Sequence, residues 1–223
     1  MNDVSKKYFR IGLILLAIFI EFTALVKLID VEVIGIEGST IGFATINKRI
    51  FAFLGKSSFW LTVTDILGIV VLIVAAAFAL FGLCQLIKRK SIKKVDAPIL
   101  ALGMLYVAVI IFYLIFEFYV INYSPIKENG ELVASYPSSH TLLAVTVMTS
   151  GTSVFNYYVT KNAYKIAAYS VSGAVIALTV VGRLLSGVHW FTDIFAALLL
   201  SAALIVLFYG GLELCLPYEK TNE

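Results

Sequence analysis

The chain has 223 residues, of which 61% are hydrophobic and 14% charged, against roughly 45–50% and about 25% in soluble proteins. Seventeen Lys and Arg against fourteen Asp and Glu leave a net charge of +3. Most of that charge lies between apolar runs, unlike the clustered basic face of a nucleic-acid binder. The balance excludes a soluble domain and a nucleic-acid partner, and describes an integral membrane protein.

Six stretches reach the roughly 20 apolar residues that cross a bilayer. They cover 9–28, 59–87, 97–121, 139–159, 164–181 and 190–216. The first follows Lys6, Lys7 and Arg10, but it carries Glu21 and lacks a small-x-small cleavage site. It therefore reads as an uncleaved span rather than a signal peptide. The expected fold is all-α, a single six-span membrane domain over 1–223.

Lys and Arg set the orientation. With the N-terminus inside, Lys6, Lys7, Arg10, Lys88, Arg89, Lys90, Lys93, Lys94, Lys161, Lys165 and Lys220 fall on the inner side. Lys48, Arg49, Lys56, Lys127 and Arg183 fall outside, with Lys27 near the outer end of the first span. Both termini are then cytoplasmic, and segments 29–58, 122–138 and 182–189 face out. In the first of these, Lys48 and Arg49 stand beside Ile50, Phe51 and Phe53, which fits an additional amphipathic helix at the interface. The second carries turn signals at Ser124-Pro125 and Asn129-Gly130. Cys84 and Cys215 lie near inner span ends and form no disulfide framework; palmitoylation there is a weak alternative. No His/Cys cluster has metal-ligand spacing.

The two histidines of the chain, His140 and His189, both fall at outer span ends. His140 follows Pro137, Ser138 and Ser139, a helix-start pattern. The unpaired N–H groups of that helix end would favour a phosphate. Taken alone, the serines read first as a plain cap, with His140 an interfacial polar residue. His189 and Asp193 are four apart, which on a helix puts them on one face. The carboxylate would then fix one ring nitrogen and leave the other free to attack. Arg183 supplies a forked, permanently charged donor for phosphate oxygens. The alternative is a buried ion pair holding the last span, with Arg183 snorkelling to the interface.

Together the segments resemble the type 2 phosphatidic acid phosphatase superfamily of membrane lipid phosphatases. Its motifs read Pro-Ser-Gly-His, then Ser-Arg, five residues, His, three residues, Asp; here Ser139 stands for the glycine and Gly182 for the serine. The resemblance covers residues 137–193, and the six-span layout with both motifs outside agrees with it. It implies His189 as nucleophile through a phosphohistidine, Asp193 as its orienting group, and His140 as general acid. Arg183, Ser138 and Ser139 would bind the phosphoryl oxygens, and no metal or cofactor would be needed. The substrate would be a lipid phosphate or diphosphate such as phosphatidate, phosphatidylglycerol phosphate or a polyprenyl diphosphate. It would reach the extracytoplasmic site laterally from the plasma (cytoplasmic) membrane.

One motif departs from the family. Where the family has Lys, six residues, Arg-Pro, this chain has Glu117, six residues, Ser124-Pro125. Lys127 is the nearest replacement cation in sequence; Lys27, Lys48 and Arg49 are also outer. A second reading has Glu117 and Ser124 line an acceptor pocket, which would make the protein a phosphotransferase passing a headgroup to an alcohol. A third reading is a catalytically weak or silent relative that binds lipid headgroups. Glu21 and Asp65 lie within spans, where ionisable groups are costly; both are read as polar glue between helices.

Overall fold

Apolar runs of this length satisfy their backbone groups in lipid as helices. In the computed structural model, residues 2–127 and 130–215 are described, without the side chain of residue 215. Asn129 of the expected turn, the span end at Leu216, Lys220 and the Cys215 side chain lie outside the described residues. The helices are α1 (Asp3–Leu28), α2 (Ala44–Leu54), α3 (Ser58–Arg89), α4 (Ala97–Phe118), α5 (Ser139–Tyr158), α6 (Asn162–Ser186) and α7 (Phe191–Cys215). The first outer segment also holds a ribbon of two short antiparallel strands, β1 (Glu32–Val33) and β2 (Thr40–Ile41). The class is all-α, as expected.

Five helices, α1, α3, α4, α6 and α7, are long and apolar enough to cross a membrane. The expected fourth span, α5, is not among them, because it carries hydroxyls along buried faces. It packs against α3, α4, α6 and α7, so its side chains meet protein rather than lipid. Thr146 and Ser150 donate to carbonyls one turn back, both at 2.6 Å, and Thr152 shares a hydrogen bond with Ser172 of α6. Hydropathy is low where protein replaces lipid as the surroundings. Ile66, Ile69, Leu72 and Ile73 of α3 are exposed, as a lipid-facing helix requires.

Without water to drive apolar contacts, helices associate in lipid through close packing at small residues. α1 runs along α7 in this way. A Cβ at Gly12 would lie 2.7 Å from Leu207 Cδ2, and one at Gly210 only 3.2 Å from Tyr8 Cβ. Glu21, expected to bridge spans, is instead exposed on α1.

Two element ends differ from expectation in ways that matter. α1 begins at Asp3, where the Asn2 side chain accepts from the Ser5 N–H at 2.7 Å. α6 continues to Ser186, and Gly187 ends it at φ 77°. Gly182 and Arg183 therefore belong to the last turns of a helix, not to an outer loop, and the third outer segment shrinks to 187–190. The helix expected in the first outer segment is α2. It buries Ala44 and Asn47 and exposes Lys48, Arg49 and Phe53. Asn47 ties it to α7: its Oδ1 accepts from the Thr192 N–H at 3.2 Å, and its Nδ2 donates to Thr192 Oγ1 at 3.0 Å. Cys84 is exposed and unpaired with another cysteine.

Chain direction alternates so that the start of α3, the end of α4, the start of α5, the end of α6 and the start of α7 share one end of the bundle. Every residue discussed next lies at that end. The basic loop 88–94 lies at the other.

Candidate active site

Ser138 opens α5. It is fully buried, its Oγ accepts from the Thr141 N–H at 3.4 Å, and its own N–H donates to the Asp193 carbonyl at 3.1 Å. Ser138 thus caps the helix and faces away from the cavity. Ser139 and His140, one and two residues on, line the cavity with Pro137. The His140 ring lies against α3, where a Cβ at Gly68 would sit 3.0 Å from Nε2. That nitrogen is 3.6 Å from Asp65 Oδ1.

His189 stands in the turn before α7, so the expected helical pairing with Asp193 does not form. Its Nδ1 is 3.0 Å from the Ser135 carbonyl oxygen. A carbonyl only accepts, so Nδ1 carries the ring proton and Nε2 is the unprotonated nitrogen. Nε2 lies 3.3 Å from Arg183 Nη2. Asp193 Oδ2 is 3.8 Å from Nδ1, beyond hydrogen-bond distance. Its fully buried carboxylate accepts instead from the Trp190 N–H and from Asn122 Nδ2, both at 2.9 Å. Asp193 shapes the turn that presents His189 and places a negative charge behind the ring.

The Ser135 carbonyl is held by the second outer segment, which folds back on itself. Ser124 N–H donates to Val133 O and Ser135 N–H to Asn122 O, each at 3.0 Å. The folded segment docks on the histidine turn through Ser124 Oγ to Val188 O and Trp190 Nε1 to Tyr123 O, both 2.8 Å. Ser124 is therefore buried structural support rather than a substrate ligand. Tyr136 anchors the segment to α1 through a 2.8 Å bond with Thr23. Burial pushes its phenol well above the usual value, which keeps it neutral.

Arg183 is nearly buried at 4% side-chain exposure. Its Nη1 donates to Asp65 Oδ1 at 2.9 Å and to Thr64 Oγ1 at 3.4 Å. This approach of α3 to α6 depends on Gly182, where a Cβ would lie 2.5 Å from Thr64 Cγ2. The residue that departs from the family's serine thus makes room for α3.

The groups surround a cavity of about 160 Å³ lined by Glu117, Ser135, Ser139, His140, Arg183 and His189 among others. Beside it lies a second cavity of about 370 Å³ between α3, α4 and α5. Its walls include Ile69, Leu72, Ile110 and Leu143, and it shares Tyr113, Ser139, His140 and Leu142 with the first. Ile69, Leu72 and Ile110 are more than half exposed on the bundle's outer surface, so this groove opens sideways. Polar pocket and apolar groove meet at His140. Asp65 stands at the same junction, in the groove wall.

The structure brings together His140, His189, Arg183, Ser139 and Glu117. It sets Asp193 directly behind, Ser138 and Ser124 beneath, and Lys127 apart, for Lys127 pairs with Glu37 of the first outer segment. Asp65 does bond a neighbouring helix as expected, but it does so inside the site. An ionisable residue within a span was the signal for it. Ser135 and Asn122 carried no sequence signal at all.

Fold and site together define a polytopic helical membrane protein with a histidine–arginine pocket opening on a lipid-facing groove. Residues 117–214 match the PAP2 superfamily, the family that the two motifs resemble, and the match contains both of them. Among solved structures the chain is similar to one titled as the first transmembrane PAP2 type phosphatidylglycerolphosphate phosphatase from Bacillus subtilis. The two share 15% identity and a TM-score of 0.65, over 93% of this chain and 98% of that one. At that identity the likeness is one of fold. No curated protein matches the chain.

Proposed function

We propose that the protein is an integral membrane lipid phosphatase acting through a phosphohistidine on His189, with its site at the extracytoplasmic face. The observation that carries this reading is the His189 ring itself. Its proton is committed to the Ser135 carbonyl, and the unprotonated Nε2 faces Arg183 Nη2 at the cavity wall.

The chemistry follows from the arrangement. The lipid tail lies in the apolar groove, and the phosphate enters the polar pocket. Arg183 and the N-terminal end of α5 hold the phosphoryl oxygens, as guanidinium groups and helix N-termini do. Nε2 attacks phosphorus, forming an N–P bond as the P–O bond to the lipid alcohol breaks. His140, at the junction, gives its proton to the leaving oxygen. Water attacks the phosphohistidine, His140 takes a proton from it, and orthophosphate leaves. Throughout, the Ser135 carbonyl and the Asp193 charge stabilise the ring as it becomes cationic. No step calls on a metal ion. The basic loop 88–94 at the opposite end supports an outer-face site through the charge rule.

The test is phosphate release by purified protein in detergent with chelator present. Phosphatidate, phosphatidylglycerol phosphate and a polyprenyl diphosphate are supplied in turn, with and without an added alcohol, and His189→Ala runs in parallel. Release that survives the chelator and is lost in the variant is expected. Product formed only with the added alcohol would instead identify a phosphotransferase. No reaction by folded protein with any of the lipids would sink both.

A further inference from the structure

We propose that Asp65 is a placeholder for the phosphoryl group: it occupies Arg183 while the site is empty, gives way to an incoming phosphate, and retakes the guanidinium as phosphate leaves. The turnover half of this rests on the phosphatase reading; the binding half does not.

A single oxygen, Asp65 Oδ1, lies 2.9 Å from Arg183 Nη1 and 3.6 Å from His140 Nε2. Those are two of the groups that would surround a bound phosphoryl group. Carboxylate and phosphate present the same kind of acceptor to a guanidinium, so the two compete for it. The contact is built into the fold. It needs α3 against α6 at Gly182 and α3 against His140 at Gly68, where an added Cβ would lie 2.5 Å from Thr64 Cγ2 and 2.9 Å from His140 Cδ2.

The two partners differ in freedom. Arg183 is 4% exposed, while the Asp65 side chain is 52% exposed at the groove wall. Arg183 is also met by Thr64 and by the His189 ring, so the guanidinium stays in place when Asp65 moves. Among the described residues, Arg183 is the sole Lys or Arg lining either cavity. Lys127, the substitute cation expected from the sequence, is held by Glu37 instead. Whatever occupies Arg183 therefore governs phosphate affinity. A carboxylate that merely fixed the arginine would have the opposite effect: removing it would weaken phosphate binding.

The test compares wild type, Asp65→Asn and Asp65→Ala as purified full-length protein in detergent. Orthophosphate is titrated by calorimetry, and its inhibition of lipid phosphate hydrolysis is measured alongside. The placeholder predicts orthophosphate binding at least tenfold tighter in both variants, with KM and the inhibition constant falling together and kcat reduced by slow phosphate release. Unchanged or weaker binding in the variants, or no orthophosphate binding by any of the three, overturns it. A variant that fails to fold is replaced by infrared difference spectra of the wild type. There, added orthophosphate should shift a carboxylate band, and its absence counts against the proposal. Tighter orthophosphate binding without lipid hydrolysis would keep the placeholder and remove the phosphatase reading. Hydrolysis with unaltered orthophosphate binding would do the reverse.

Discussion

A backbone carbonyl holds the proton of the His189 ring, and the nearby carboxylate holds the turn. Asp193 accepts from the Trp190 N–H and from Asn122 Nδ2, so both its oxygens serve backbone placement while its charge lies 3.8 Å from Nδ1. Asp193→Asn removes the charge and sets an amide N–H against one of two existing donors. A buried hydrogen bond is then lost and a donor left unpaired, at a cost of about 1–3 kcal/mol. Phosphate release should fall on the order of a hundredfold or more, since the ring loses both its counter-charge and its placement. Melting in detergent and phosphate release on the same preparation check the two effects. A variant with native stability and native rate would show that the 3.8 Å contact does nothing.

Between elements, the helix contacts at the site depend on missing side chains. Gly182→Ser restores the residue found in the family, yet its Cβ would lie 2.5 Å from Thr64 Cγ2 and 3.0 Å from Trp60 Cε3. α3 must shift, and overpacking of this kind costs about 1–3 kcal/mol. The variant is expected to melt earlier and to lose the Arg183–Asp65 contact, seen as altered orthophosphate binding. At the other end of the bundle, Asp96 joins α3, α4 and α5. Arg89 donates to it at 2.6 Å, Tyr158 at 2.7 Å and Gln85 at 2.8 Å. The Arg89 bond, and after it the Tyr158 bond, hold its carboxyl below the usual range. The unfolded chain therefore binds the proton first, and stability from this group is present above the unfolded pKa of about 3.9 and lost as pH falls through the lower folded value. Asp96→Asn should melt earlier than wild type at neutral pH, and the gap should close as pH drops below about 4. A gap that stays constant with pH would mean the carboxylate charge contributes nothing.

Across the whole molecule, what the sequence made legible and what it hid divide along a physical line. Span positions follow from apolar runs that local composition records, and the two motifs keep their spacing because each lies within one short segment. α5 reads as a span in the sequence but is less apolar than the other five, because its neighbours, not its own residues, shield it from lipid. Asp65 was visible as an intramembrane charge, but its place beside Arg183 depends on a helix approach permitted by Gly68 and Gly182, which are far apart in sequence. Lys127 was the natural substitute for the missing cations until the fold brought Glu37 to it. Charge counting gives an orientation that the fold alone does not, and it is testable on the intact protein. In a background with Cys84 and Cys215 replaced, single cysteines at Lys48 on α2 and at Lys90 in the basic loop are labelled in whole cells by a membrane-impermeant maleimide. Both positions are exposed, so access depends on the side of the membrane. Labelling at 48 but not at 90 is expected, with 90 reacting only after the cells are opened. The reverse pattern would put the cavity on the cytoplasmic face, where a lipid phosphate would have to come from the inner leaflet.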